Sequence, residues 1–160
     1  MAGRNDRTAV AGKSSWAKLR FGGSTRCSSA AQPRDLTSVL VIEDDAFVRG
    51  AARRILESEN YRVHEAATIS DARRLLHARQ PIHLVLSDVG LPDGLGSVFV
   101  ADLERTRPEI STQLMSGDPS EYLVRARRIP PGTCVLQKPF SRTELLRAVR
   151  RATERRTQRR

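Results

Sequence analysis

The chain has 160 residues with 28 Lys and Arg against 18 Asp and Glu, a net charge of +10, two cysteines and 4% aromatic residues. That length bounds it to one domain with tails, long enough to bury a real core. Two cysteines exclude a disulfide framework, no apolar run nears the roughly 18 residues of a membrane helix, and the start lacks a secretory h-region; a soluble cytoplasmic protein is expected.

The charge is uneven. Residues 1–37 carry net +5, residues 38–150 net +1, and residues 151–160 net +4. The excess belongs to arms rather than to a patch on the body. Residues 1–37, rich in Gly, Ser, Ala and Arg, read as a disordered basic extension. The same composition suits an organellar transit peptide, which is the weaker reading. Gly12-Lys13-Ser14 resembles the end of a phosphate-binding P-loop, but Arg7 stands where that loop needs its first glycine. Trp16 and Phe21 among basic residues could form a stacking arm for nucleic acid, against which solvated disorder is preferred.

Order begins at Val39-Leu40-Val41-Ile42, a continuous apolar run of the kind found in strands covered on both faces. It ends in Glu43-Asp44-Asp45. Asp45 can cap a helix in which Phe47, Val48, Ala51, Ala52, Ile55 and Leu56 recur at helical spacing, ending near Asn60. Residues 61–66 alternate and predict an outer strand. Ile69, Ala72, Leu75 and Leu76 mark a second helix, stopped before Pro81.

Residues 82–87 predict a buried strand that ends on Asp88, followed by a turn of Gly90, Pro92, Asp93, Gly94 and Gly96. Val98, Phe99 and Leu103 give a third helix closed by Pro108. Residues 110–116 predict a fourth strand ending in Ser116, and residues 120–128 a short helix. Residues 133–137 predict a fifth strand leading to Lys138-Pro139-Phe140, with Cys134 inside it as a small buried thiol. Ser141 and Glu144 form a capping box for a last helix, which residues 151–160 extend or leave as a tail. His64, His77 and His83 follow no metal-ligand spacing and read as surface or strand-edge residues. Five strands alternating with five helices predict an α/β fold, a parallel sheet with helices on both faces.

In such sheets ligands sit beyond the carboxyl ends of the strands. There the first strand delivers Glu43 and Asp44, the third Asp88, the fourth Ser116 and the fifth Lys138. Clustered carboxylates repel one another. Lys138 offsets one charge, and a hard divalent cation such as magnesium would offset the others. The set suits a doubly charged phosphoryl group: Asp88 as the attacking carboxylate, Lys138 and Ser116 on the remaining oxygens, with backbone N–H groups after Asp88 and at Gly117. Asp118 lies near the same place.

Glu43-Asp44, Asp88 with Leu91-Pro92 and Gly96, Ser116, and Lys138-Pro139-Phe140 resemble, in order and spacing, the signature of a response-regulator receiver domain over residues 38–150. The resemblance implies a flavodoxin-like (βα)5 doubly wound sheet of order 2-1-3-4-5 and transfer of phosphoryl to Asp88 from a sensor histidine kinase or histidine phosphotransfer protein. It implies magnesium held by Asp44, Asp88 and the Gly90 carbonyl, with Glu43 acting through water, and a cis Lys138-Pro139 peptide. The chain departs from the family at Val135, where an aromatic residue is usual, and at Pro131-Gly132-Thr133, where Gly-Ala often precedes the strand. With about ten residues after the last helix, a stand-alone receiver is expected that signals by protein contact or onward relay. Two alternatives are weaker: a basic-tailed nucleic-acid-binding regulator, and an aspartyl-nucleophile phosphatase, whose Asp-x-Asp after the first strand is missing here.

Overall fold

The computed structural model describes residues 37–78 and 81–157. The expectations for residues 1–36, including the disordered extension, Gly12-Lys13-Ser14 and the Trp16 and Phe21 arm, lie outside the described residues, as do residues 158–160. The described chain runs β1 (Ser38–Ile42), α1 (Ala46–Glu57), β2 (Arg62–Ala66), α2 (Ile69–His77), β3 (Leu84–Asp88), β4 (Gly90–Leu91), β5 (Gly94–Leu95), α3 (Gly96–Thr106), β6 (Ser111–Ser116), α4 (Ser120–Arg125), β7 (Val135–Gln137) and α5 (Arg142–Thr157).

Five strands form one parallel sheet in the order β2-β1-β3-β6-β7, the doubly wound order expected, while β4 and β5 pair separately as a small antiparallel hairpin. Successive side chains along a strand point to opposite faces. Val39, Val41, Leu84, Leu86 and Met115 therefore meet Ala52 and Leu56 of α1 and Leu145, Val149 and Ala152 of α5 on one face. Leu40, Ile42, Val85 and Leu114 meet Ala72, Phe99, Val100, Leu103 and Leu123 of α2, α3 and α4 on the other. The unbroken apolar runs of β1 and β3 are thus read twice, once by each helical layer. Leu40, Ile42, Leu84 and Leu86 are fully buried, and burying a side chain of this size contributes about 1.5–3 kcal/mol.

Local chemistry sets the helix ends. Asp45 Oδ1 accepts from the Phe47 and Val48 N–H groups at 2.8 and 3.1 Å. The capping box forms as expected: the Ser141 N–H and hydroxyl both donate to Glu144 Oε2 at 2.7 Å. At α2 a residue from elsewhere joins in, since Asp93 accepts from the Ile69 and Ser70 N–H groups at 2.9 Å each. Asn60, with φ of 61°, turns the chain from α1 into β2. The C-terminal basic run continues α5 as far as Thr157.

Three expectations are corrected. The short helix stops at Arg125 rather than 128, because Arg127 takes a left-handed φ of 54°. The Arg127 N–H donates to the Val124 carbonyl and the Arg128 N–H to the Leu123 carbonyl, the paired bonds of a Schellman ending. The last strand of the main sheet begins at Val135 rather than 133. Cys134 is consequently still in the connecting loop and exposed, not buried. Among the described residues no helix is long and apolar enough to cross a membrane.

Candidate functional site

The parallel register aligns the ends of four strands. Ile42 pairs with Ser87, Asp88 with Met115, and Ser116 with Gln137. Each strand's last polar residue therefore emerges at the same edge. Glu43 follows β1 and Asp88 ends β3; both are buried, with 1% and 7% of their surface exposed. Asp44 is exposed beside them. Lys138 follows β7, and its N–H donates to the Ser116 carbonyl at 2.7 Å. The Lys138-Pro139 peptide is cis.

Lys138 Nζ stands 2.9 Å from Glu43 Oε2 and 3.1 Å from Asp88 Oδ1. Glu43, Asp44 and Asp88 each offer a carboxylate oxygen within 4.8 Å of the other two. Burial pushes the Glu43 carboxyl above its usual range and the Asp88 charge adds to this, against the pull of the Lys138 hydrogen bond. For Lys138, burial favours the neutral amine, yet its bonds to Glu43 and Asp88 outweigh that and raise its pKa. The ammonium is therefore held charged between two carboxylates.

Ser116 is buried at the end of β6, and its Oγ accepts from the Asp118 N–H at 3.0 Å. Gly90 opens the small hairpin two residues beyond Asp88 and is exposed. The site residues expected from sequence thus meet at one sheet edge: Glu43, Asp44, Asp88 and Lys138 in direct proximity, with Ser116 at the end of β6 and Gly90 at the start of β4 alongside. Gly96 holds the Asp88 turn closed. Its N–H donates to the Val89 carbonyl at 3.0 Å, and an added Cβ would lie 1.8 Å from the Asp88 carbonyl oxygen.

Two residues escaped sequence reasoning. Arg49 in α1 donates through Nη1 to the Glu43 and Asp44 carbonyls, which fixes the backbone that carries both acids. Arg128 pairs with Asp118 at 3.8 Å. Nothing in local spacing separates these arginines from the many solvated ones, because Arg49 binds backbone carbonyls, which any residue offers, and the partner of Arg128 lies on another loop.

A family model for the response regulator receiver domain matches residues 39–150. The chain belongs to the response regulator receiver domain family. This receiver is 36% identical over 122 residues to the KDP operon transcriptional regulatory protein KdpE of Escherichia coli K12, covering 75% of this chain and 52% of that protein. It is 31% identical over 118 residues to the sensor kinase CckA of Brucella abortus, covering 73% of this chain and 12% of that protein. The chain therefore spans about half of one curated relative and a small part of the other. The receiver of an HD domain-containing protein from Pseudomonas fluorescens Pf-5 superposes with a TM-score of 0.68 at 25% identity, covering 82% of this chain and 96% of that one.

Receiver domains interact with histidine kinases and phosphotransfer proteins and are generally magnesium-dependent. The donor set fits a hard cation, since three carboxylates present oxygens within 4.8 Å of one another. Two of them already share Lys138, while Asp44 makes no ion pair among the described residues. That leaves Asp44 on the exposed side with uncompensated charge.

Proposed function

We propose that Asp88 is the phosphoacceptor of this receiver. The observation that carries the reading is the Lys138 ammonium 3.1 Å from the Asp88 carboxylate at the aligned strand ends. One Asp88 oxygen attacks the phosphorus of a phosphohistidine in line, a P–O bond forms as the P–N bond breaks, and the imidazole leaves neutral with a proton taken from water. Lys138 holds one phosphoryl oxygen by a charge-assisted hydrogen bond. The Ser116 hydroxyl takes another from the neighbouring strand end. Glu43 keeps Lys138 in place from the buried side.

Glu43, Asp44, Asp88 and the Gly90 carbonyl would hold magnesium, which supplies neutralisation of the charge between the carboxylate and the incoming oxygens. The donor in this reading is a sensor histidine kinase or a histidine phosphotransfer protein. Because phosphohistidine on such kinases derives from ATP, the reading places the protein in the cytoplasm. The family match supports a receiver unit of residues 38–150 between basic flanks, with output by protein contact or onward relay.

Incubation with acetyl phosphate and magnesium, followed by intact mass measurement, tests the assignment. The wild type gains one phosphoryl group and Asp88→Asn gains none. A folded Asp88→Asn protein that still gains the mass overturns it.

A further inference from the structure

The phosphoacceptor site is closed from below by the sheet and from the buried side by Glu43 and Lys138, while its outer side is bounded by two loops. One loop follows Asp88 and holds Gly90; the other follows Ser116 and holds Asp118. Arg128 reaches both. Its Nη1 lies 3.8 Å from Asp118 Oδ2 and 3.9 Å from the point where a Cβ on Gly90 would stand. Asp118 is itself anchored to the site, because its N–H donates to Ser116 Oγ. The guanidinium therefore spans the gap between the loops, in space left open by the missing side chain of Gly90.

The main chain of Arg128 is fixed there. Its N–H donates to the Leu123 carbonyl at 2.8 Å, and its carbonyl accepts from the hydroxyl of Ser97, a buried residue in the first turn of α3. Ile129 follows in the core at 4% exposure. The left-handed turn at Arg127 sets this direction. The side chain, by contrast, is loosely held. A separation of 3.8 Å exceeds hydrogen-bond reach, and among the described residues the guanidinium makes no hydrogen bond. A half-exposed carboxylate at that distance is a weak partner.

We propose that Arg128 is a phosphoryl-binding residue, held beside Asp118 in the resting protein and transferring its guanidinium to the phosphoryl oxygens once Asp88 carries them. This rests on Asp88 being the phosphoacceptor. A phosphoryl dianion is the stronger competitor, because a planar guanidinium can donate two parallel N–H bonds to it. The exchange needs only side-chain rotation about an anchored backbone. Asp118 is then a competitor for Arg128, so removing its charge favours the phosphoryl-bound arrangement. Removing the Arg128 charge has the opposite effect.

The test is a 19F NMR titration of the full chain with beryllofluoride, a phosphoryl mimic, at saturating magnesium. It compares wild type, Arg128→Gln, Arg128→Lys, Asp118→Asn and Arg125→Gln, an exposed arginine of α4 that controls for general charge. Arg128→Gln is expected to weaken binding about tenfold or more, as loss of a hydrogen bond to a charged group does. Arg128→Lys recovers part of that, Asp118→Asn tightens binding, and Arg125→Gln leaves it unchanged. Thermal unfolding without ligand shows whether each variant is folded, and the opposite signs at positions 128 and 118 are not produced by general loosening. A wild type that binds no beryllofluoride overturns the phosphoacceptor reading and this inference together. A wild type that binds while Arg128→Gln matches it, or matches Arg125→Gln, overturns this inference alone. So does an Asp118→Asn variant that binds like wild type or more weakly.

Discussion

Gly96 lies so close to Asp88 that a β-carbon on it would stand 1.8 Å from the Asp88 carbonyl oxygen and 2.6 Å from Ser87 Oγ. Backbone, not a flexible side chain, is in the way. Gly96→Ala must therefore push the Asp88 turn outward, at an expected cost of about 2 kcal/mol, within the range of overpacked cores. Urea unfolding measures the loss, and acetyl phosphate labelling should slow in parallel. Wild-type stability would show that the turn relaxes freely.

Asp44 predicts a magnesium effect separable from folding. The exposed carboxylate makes no ion pair among the described residues, so Asp44→Ala should leave the metal-free protein as stable as wild type or slightly more so, through relief of repulsion. Magnesium at ten times its Kd should stabilise the wild type by about 1.4 kcal/mol. The variant should lose most of that shift. Thermal scans with and without magnesium decide it; equal shifts in both proteins would remove Asp44 from the cation site.

His64 carries a pH dependence. Burial pushes its imidazole below the usual 6.5, with the Arg62 charge adding to the effect, and its Nε2 is buried without a hydrogen-bond partner among the described residues. The unfolded chain thus binds the proton more readily than the folded one. Stability contributed by neutral His64 is full above 6.5 and declines as pH falls from there through the lower folded value. His64→Leu should flatten stability across that window. An unchanged slope would assign it to other groups.

Arg127 takes a φ of 54°, where a side chain is strained and glycine is not. Arg127→Gly should stabilise by about 0.5–1 kcal/mol, because the relieved strain exceeds the extra entropy of the unfolded glycine. Denaturant midpoints measure it. A destabilised variant would mean that the exposed Arg127 side chain makes a stabilising contribution.

The parts of the fold set by short-range pattern were legible. Val39-Leu40-Val41-Ile42 announced a strand covered on both faces, Asp45 its helix cap, and Ser141 with Glu144 a capping box, since each involves residues within four positions of one another. Glu43, Asp44, Asp88, Ser116 and Lys138 were legible as a set because parallel strands deliver their ends to one edge. Cys134 was misplaced because the apolar run containing it crosses from loop into strand without a change in composition. The β4 and β5 hairpin was hidden, as two-residue strands leave no periodicity. Arg128 and the capping of α2 by Asp93 depend on partners brought near only by folding, while Arg49 binds main-chain carbonyls that carry no residue signal.

The outermost strand on the Lys138 side, β7, is three residues long. Pro130 and Pro131 precede it and Pro139 follows soon after, and none of these has an N–H to offer. A foreign strand approaching that margin would find a ladder of three positions between stretches interrupted by prolines. Short, proline-flanked edges are how sheets resist recruiting further strands. The margin beside the reactive residues is therefore unfavourable ground for fibre growth or for capture of extended peptides.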